Sequence, residues 1–328
     1  MLDCDLALPQ RGGAAFAAPG ESKGNRMAGG NKGDSVKAIL FALGANFAIF
    51  CAKIFAAFVT NSGAMMAEAI HSLADCGNQG LLLLGLKRAK KPPSPDFPLG
   101  YGKAIYFWSF LVALMLFSVG GMFSIYEGWH KLHAPEPLSW PWLAVGVLTF
   151  GVVAECVSMA ACVREVNKAR GGASFWRWFR DSRQSELIVI FGEDLAALLG
   201  LAFALIAVLA TMVTGNPIYD AIGTLGIGVL LIVVAIFVAV AVKGMMIGQS
   251  ADPGVSAAIR GFMSQRAEIA RVFSIITLQL GNDLMVAAKV QLQRGSVGPE
   301  DAINNIEREL KRHFPQVKWS FVEPDNAD

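Results

Sequence analysis

The chain has 328 residues, of which 54% are hydrophobic and 16% are charged, and its mean hydropathy is +0.47. These values argue against an ordinary soluble domain. The formal net charge of +2 argues against a nucleic-acid-binding protein. The sequence therefore indicates a protein of the lipid bilayer.

Residues 1–34 are rich in glycine and alanine and contain neither an uninterrupted apolar region nor a clear cleavage site. A removable signal peptide is therefore not expected, and the segment is predicted to be a disordered N-terminus. Met27 stands just before the first apolar stretch, so the sequence leaves open whether translation starts at Met1 or at Met27.

Six apolar stretches follow, and each exceeds the ~20 residues that a helix needs to cross a bilayer. They cover residues 36–60, 63–86, 104–126, 142–163, 187–213 and 217–242. The sequence predicts six transmembrane helices within a membrane domain of residues 35–248.

Lysine and arginine alternate between the connections of these stretches. Four lie between residues 23 and 37, five between 87 and 103, and six between 164 and 183, whereas the links at 61–62 and 214–216 have none. The third link offers only Lys131. The positive-inside rule then predicts that both termini face the cytoplasm, and we expect a bacterial inner membrane.

The second stretch carries Glu68, His71 and Asp75 at helical spacing. Each ionisable group at that depth costs roughly 2.5 to 3.5 kcal/mol, so a cluster of them needs a partner. A cation is the simplest partner. His71 and Asp75, at i and i+4, can supply one nitrogen and one oxygen, which is half of a tetrahedral site for zinc or a similar ion.

The composition changes at residues 248–252, and alternating patterns typical of strands appear. Residues 249–328 predict a cytoplasmic domain in the order α-β-β-α-β, with a turn at 281–283 and a helix that begins at Pro299. A domain of this size has a thin core, which makes pairing with a second copy plausible. Its lone histidine, His313, does not indicate a metal site.

Several runs resemble the cation diffusion facilitators, a family of divalent-metal/proton antiporters. The second stretch has the run NSGAMMAEAIHSLAD at 61–75, the third begins after GYGK at 100–103 and closes with SIYEG at 124–128, and the fifth contains GEDLAALLG at 192–200. The resemblance runs from about residue 35 to the C-terminus. It implies a homodimer whose cytoplasmic domains have a metallochaperone-like fold.

In the resembling family, the fifth helix completes the metal site with a histidine and an aspartate four residues apart. Here Asp194 matches the aspartate, but Ile190 stands in place of the histidine. Glu193 lies about 60° around the helix from position 190 and has a longer reach, and a subset of the family carries the same Glu-Asp pair. The expected site is His71, Asp75 and Asp194, with Glu193 as a fourth ligand or as a support for the others. Glu193 could also be a polar residue that packs between helices.

The remaining buried polar residues have several interpretations. Lys53 and Glu155 could form a structural ion pair, modulate the site or line the pathway, with the pair preferred, and Glu68 is expected to support the ligands. Many family members carry two histidines in the loop after the second helix. Phe97 and Tyr101 occupy these positions here, so a metal site in this loop is not expected.

The sequence thus predicts a secondary transporter, not an enzyme, that exports divalent metal in exchange for protons and needs no cofactor. Zn²⁺ is preferred as the cargo, with Mn²⁺, Fe²⁺ or Co²⁺ as alternatives because the ligand set is rich in oxygen. A membrane scaffold or metal sensor that has lost transport remains open. An intramembrane hydrolase is disfavoured because no His-Glu-x-x-His helix occurs, and no phosphate-binding loop points to an ATP-driven pump.

Overall fold

The computed structural model describes residues 32–170, 172–293, 295 and 298–326. Most of the predicted disordered segment, residues 1–34, lies outside them, and residues 32–34 form the start of the first helix. Two compact units divide after Ala42. The described part of the first unit is this helix start, and all contacts below belong to the second unit, Leu43–Asp328.

Ten α-helices and three β-strands make up the described residues. The first eight helices are α1 (Lys32–Thr60), α2 (Gly63–Ala89), α3 (Ala104–Met115), α4 (Phe123–His133), α5 (Pro141–Arg170), α6 (Phe175–Asp181), α7 (Ser185–Thr214) and α8 (Ile218–Ile247). A π-helical stretch, Leu116–Met122, joins α3 to α4 into one continuous rod. The six predicted stretches therefore correspond to α1, α2, α3–α4, α5, α7 and α8.

Four of these helical rods are long and apolar enough to cross a membrane: Ala104–His133, Pro141–Arg170, Ser185–Thr214 and Ile218–Ile247. Within α1, the described apolar part is Asn46–Thr60, which is shorter. Helix α2 is long enough, but its polar cluster lowers its mean hydropathy. The protein is an α-helical membrane protein, as the composition predicted.

Local sequence explains where these helices begin and end. The Ser62 hydroxyl accepts a hydrogen bond from the Met65 amide and caps the start of α2. Asp220, in the first turn of α8, accepts bonds of 2.6 Å from the Ser62 hydroxyl and the Gly63 amide. Gly215 ends α7 with a φ of 71°, which favours glycine. The buried Asp220 carboxylate thus ties the start of α2 to the start of α8.

Small residues let the helices approach closely. Helix α7 packs against α8 and α5, and α2 contacts α3, α7 and α8. At Gly223 on α8, a Cβ would collide with the Cβ of Ala207 on α7, so only glycine permits this approach. Large apolar side chains fill the centre of the bundle: Met65, Leu116, Leu148, Leu201, Ile227 and Leu231 are all fully buried.

A small α/β domain follows α8. Its elements are α9 (Pro253–Ser264), β1 (Ile269–Leu280), β2 (Asp283–Leu292), α10 (Pro299–His313) and β3 (Val317–Pro324). Strand β2 is central, antiparallel to β1 and parallel to β3. The predicted order α-β-β-α-β is confirmed, including the turn at Gly281 and the helix that begins at Pro299.

One face of this sheet packs against the helices, and the other face is open. Val286 and Val290 point into a core with Ile306 and Leu310 of α10. Ala287 pairs with Ile276 on β1 and with Phe321 on β3, and these three residues lie on the opposite face. Ile276 and Phe321 are 63% and 53% exposed. Because side chains alternate along a strand, the exposed face carries its own apolar row.

The turn between β1 and β2 contacts the start of the third rod. The Gly281 amide donates a hydrogen bond of 3.0 Å to the Tyr106 hydroxyl, and Tyr106 is fully buried. A Cβ on Gly102 would collide with the Leu280 carbonyl, so the glycine allows the two backbones to touch. The α/β domain is therefore held directly against α3.

Candidate metal centre

The polar cluster of α2 lies inside the helical bundle. Glu68 and His71 are fully buried. The Nε2 atom of His71 lies 3.6 Å from Oδ2 of Asp75, one turn further along the helix. The i, i+4 spacing read from the sequence thus brings the imidazole and the carboxylate side by side.

A cavity of about 100 Å³ lies between α2, α5 and α7, and α1 contributes to its wall. Asp75 enters it from α2, Glu193 and Asp194 enter it from α7, and Glu155 enters it from α5. Four acidic side chains from three helices therefore border one small space. His71 is not among the lining residues and reaches this space only through its neighbour Asp75.

Ser158 on α5 orients Asp194. Its hydroxyl lies 3.3 Å from both carboxylate oxygens of Asp194 and donates to them. This contact bridges α5 and α7. Gln79, one turn beyond Asp75 on α2, also lines the cavity and was not considered from sequence. Its i+4 spacing from Asp75 was the signal that could have identified it.

Several polar atoms around this cavity have no hydrogen-bond partner in the described part of the chain. They include Nδ1 and Nε2 of His71, Oδ1 of Asp75 and Oε1 of Glu193. Buried polar groups in proteins are nearly always paired, so a group of unpaired ones needs a reason. A cation could bind the carboxylate oxygens and one imidazole nitrogen of this group at once.

The ligands are not arranged as a closed coordination sphere. Among the described residues, no three His, Cys, Asp or Glu side chains form a group that could hold a metal ion as they stand. Three of the four expected ligands, Asp75, Glu193 and Asp194, face one space from α2 and α7, and His71 lies behind Asp75.

The preferred ion pair between Lys53 and Glu155 is wrong. The Nζ atom of Lys53 lies 3.2 Å from Oε2 of Glu68 and donates a 2.8 Å hydrogen bond to Ser72. Lys53 reaches α2 instead of α5 because Glu68 lies nearer to it in the packed bundle, a relation that spacing along the chain cannot reveal. Glu155 lines the cavity, which fits the pathway interpretation that the sequence had left open.

The Lys53–Glu68 pair is sealed by close helix packing. Both side chains are buried, at 1% and 0% exposure. A Cβ on Gly200 of α7 would collide with Oε1 of Glu68, so this glycine makes room for the carboxylate. Glu68 therefore neutralises a buried lysine and is set apart from the acidic cavity.

Position 190 does not border the cavity. The Ile190 side chain is 39% exposed on the outer surface of α7 and is absent from the cavity wall, whereas Glu193 is part of that wall. At the far end of the chain, the His313 ring stacks on Phe262 at 5.2 Å. This contact gives the histidine a packing role in the α/β domain.

Comparison with known proteins places this geometry in context. A family model described as the cation efflux transmembrane domain matches residues 39–247. The proton-coupled zinc antiporter SLC30A9 of Homo sapiens is 36% identical over 203 residues, which cover 61% of this chain and 36% of the relative. The Xenopus laevis protein of the same name is 34% identical over 219 residues, 66% of this chain and 39% of the relative. Metal tolerance protein C4 of Arabidopsis thaliana is 33% identical over 224 residues, which cover 68% of this chain and 49% of the relative.

This chain thus spans less than half the length of each of these relatives. The family match nevertheless covers α2, α5 and α7, the helices that carry the cavity, and well over half of the chain. The chain belongs to the cation efflux family.

Proposed function

We propose that this protein exports divalent metal ions from the cytoplasm in exchange for protons, by alternating access of the cavity between α2, α5 and α7. Family membership supports transport of a cation, and the relatives named as proton-coupled zinc antiporters support proton coupling and zinc. The single observation that carries the proposal is the set of unpaired buried atoms on His71, Asp75 and Glu193.

The proposed ligands are His71, Asp75 and Asp194, with Glu193 as the fourth. His71 binds metal through a neutral nitrogen and the three acids bind as carboxylates, so metal and protons compete for the same groups. Loading of metal expels protons, and protonation expels metal. If the loaded and the protonated forms both expose the cavity to either side in turn, a proton gradient drives metal in the opposite direction.

Other residues hold the ligands without binding the ion. Ser158 fixes the orientation of Asp194 through its two 3.3 Å contacts. Lys53 and Glu68 neutralise each other's charge. The charge of the cavity therefore comes from the four acidic side chains that line it. Glu155 borders the cavity and is proposed to line the path of the ion.

One imidazole and three carboxylates form a donor set that is richer in oxygen than a site with two histidines. Such a set binds Zn²⁺ and also suits Mn²⁺, Fe²⁺ or Co²⁺. We propose Zn²⁺ as the main cargo because two of the relatives reported above are named as proton-coupled zinc antiporters.

The test is metal flux into sealed proteoliposomes with these four ions under an imposed pH gradient. His71→Ala, Asp75→Ala and Asp194→Ala should each abolish flux while the protein still inserts and keeps its oligomeric state. Cys76→Ala, beside Asp75 but turned about 100° away on α2, is the matched control and should transport normally. Normal flux in any two of the three site variants would place the site elsewhere, and absence of flux in the wild type would favour a scaffold or sensor.

We also propose that the protein is a homodimer with both termini in the cytoplasm. The apolar row of Ile276, Ala287 and Phe321 on the open face of the sheet gives the α/β domain a surface that a second copy can cover. Truncation after Gly248 should lower the dimer population in detergent. An unchanged dimer population would show that the membrane helices carry the interface. Localisation in a bacterial inner membrane stays a prediction.

A further inference from the structure

The short helix α6 has three distinct faces. Phe175 and Trp178 point inward: Trp178 is 6% exposed, and the Phe175 ring lies 5.0 Å from the ring of Phe191 on α7. Trp176 and Phe179 point towards α8, and Arg177 and Arg180 are exposed. The run Phe-Trp-Arg-Trp-Phe-Arg thus forms a short anchored helix with aromatic side chains on two faces and basic side chains on the third.

A groove of about 660 Å³ lies between α6 and the last turns of α8. At one end of its floor, the Phe237 ring contacts two aromatic rings of α6. The centroid distances are 6.4 Å to Trp176 and 6.2 Å to Phe179. The floor then continues along Val240 and Ala241 of α8. We call this space the α6 groove, bounded by residues 174–182 and 237–249. Its wall along α8 is almost entirely apolar.

The rim of the α6 groove is positively charged. Arg177 and Arg180 line it, and none of the described lining residues is acidic. Arg180 contacts Asp181 at 3.3 Å but stays 79% exposed, and the guanidinium of Arg177 has no hydrogen bond or ion pair within the described residues. An exposed surface pair of this kind is weak, so both arginines are free to bind another anion.

The position of the groove along the membrane spans fits a lipid. Helix α5 ends at Arg170 and α8 ends at Ile247, and α6 lies just beyond the end of α5, between two spans. Phe237 and Val240 are 51% and 61% exposed in the apolar part of α8, whereas the arginines lie beside its end. Exposed Trp176 is placed as tryptophans are at the boundary of hydrocarbon and headgroups.

We propose that the α6 groove binds one anionic phospholipid. An acyl chain lies along Phe237, Val240 and Ala241, and the negatively charged headgroup pairs with Arg177 and Arg180. A free phosphate would bind the arginines but would not contact the apolar wall. A ligand that uses both the positive rim and the apolar wall must be an amphiphile. The inference rests on the membrane location of the chain and does not depend on which metal it carries.

The experiment measures lipid retained by the purified full-length protein. Protein is equilibrated in vesicles of equal parts phosphatidylcholine and phosphatidylglycerol, extracted gently, and analysed by native mass spectrometry for the lipid bound per protomer. The wild type should retain phosphatidylglycerol in preference to phosphatidylcholine. Arg177→Gln with Arg180→Gln should lower this preference about fivefold per arginine, because a basic residue near an anionic surface contributes ~1 kcal/mol.

Two matched controls separate the groove from general effects. Arg164→Gln with Lys168→Gln removes two exposed positive charges from α5 outside the groove and should leave the preference unchanged. Val240→Trp fills the apolar wall and should lower retention of both lipids. Val233→Trp, at a 50% exposed position of α8 outside the groove, should leave the retention of both lipids unchanged.

Three results would overturn the proposal. Retention could fall equally in the α5 control pair, which would make the effect one of net charge. Inorganic phosphate could displace phosphatidylglycerol completely, which would make the site a simple anion site. Val240→Trp could change the dimer population but not lipid retention, which would mean that a second protomer covers the groove.

Discussion

At the scale of single residues, Glu193 is the most informative side chain of the cavity. It has an unpaired buried oxygen and lies on the cavity wall, whereas Ile190, at the position of the family's histidine, faces outward. If Glu193 is a ligand, Glu193→Gln keeps the shape but removes a charged donor, and we expect metal affinity to fall on the order of 10- to 100-fold. Flux titrations with Zn²⁺ and Mn²⁺ measure this.

The matched control for Glu193→Gln is Glu165→Gln, which removes an acid that is 60% exposed on α5. This control should leave flux unchanged. If Glu193→Gln also leaves flux and metal preference unchanged, Glu193 only packs between helices, and water or another residue completes the site.

The buried pair of Lys53 and Glu68 predicts strong energetic coupling. Lys53→Met leaves an unpaired buried carboxylate, and we expect a loss of about 3 to 5 kcal/mol in the free energy of unfolding. Lys53→Met with Glu68→Met replaces both charges by apolar groups and should recover most of that loss. Unfolding in mixed micelles across the four proteins of this cycle gives the coupling, and additive effects would mean that the 3.2 Å contact contributes nothing.

At the scale of elements, the position of α7 depends on glycines in its contacts with α8 and α2. Gly223→Ala places a methyl group against the Cβ of Ala207, which is fixed to the backbone and cannot rotate away. The helices must separate, and we expect a loss of about 1 to 3 kcal/mol in stability together with reduced flux, because Asp194 is carried by α7. Thermal unfolding in detergent measures the first effect.

Gly146→Ala in α5 is the control for this change, because within the described residues no atom of a neighbouring helix lies within 4 Å of the added methyl group. It should match the wild type or exceed it slightly, since alanine favours a helix. Equal stability of Gly223→Ala and Gly146→Ala would contradict tight packing between α7 and α8.

At the scale of the whole molecule, the basic connections predict the orientation of the helices. We expect Asn216→Cys, in the uncharged link between α7 and α8, and Lys168→Cys, at the basic end of α5, to lie on opposite sides of the membrane. Both positions are exposed. A membrane-impermeant thiol reagent, applied to sealed vesicles of a chain whose native cysteines are replaced, distinguishes them. Labelling of both from the same side would contradict six spans with this orientation.

Much of this architecture is determined by the sequence itself. Length and hydropathy determine the long helices, because each apolar stretch must satisfy its own backbone hydrogen bonds in lipid. Period-two alternation and turn residues determine β1, β2 and β3, and Pro299 marks the start of α10. The stripe of His71 and Asp75 is also local, since i, i+4 residues share a helix face by geometry alone.

Tertiary packing decided what spacing along the chain could not express. It paired Lys53 with Glu68 instead of Glu155 and turned Ile190 outward. It also stabilised α6, whose seven residues are too few to show a helical hydrophobic period. Phe175 and Trp178 of this helix pack against α7. In each case the partner lies on a different helix, and the rotation of one helix against another depends on close contacts of small residues that only the folded chain brings together.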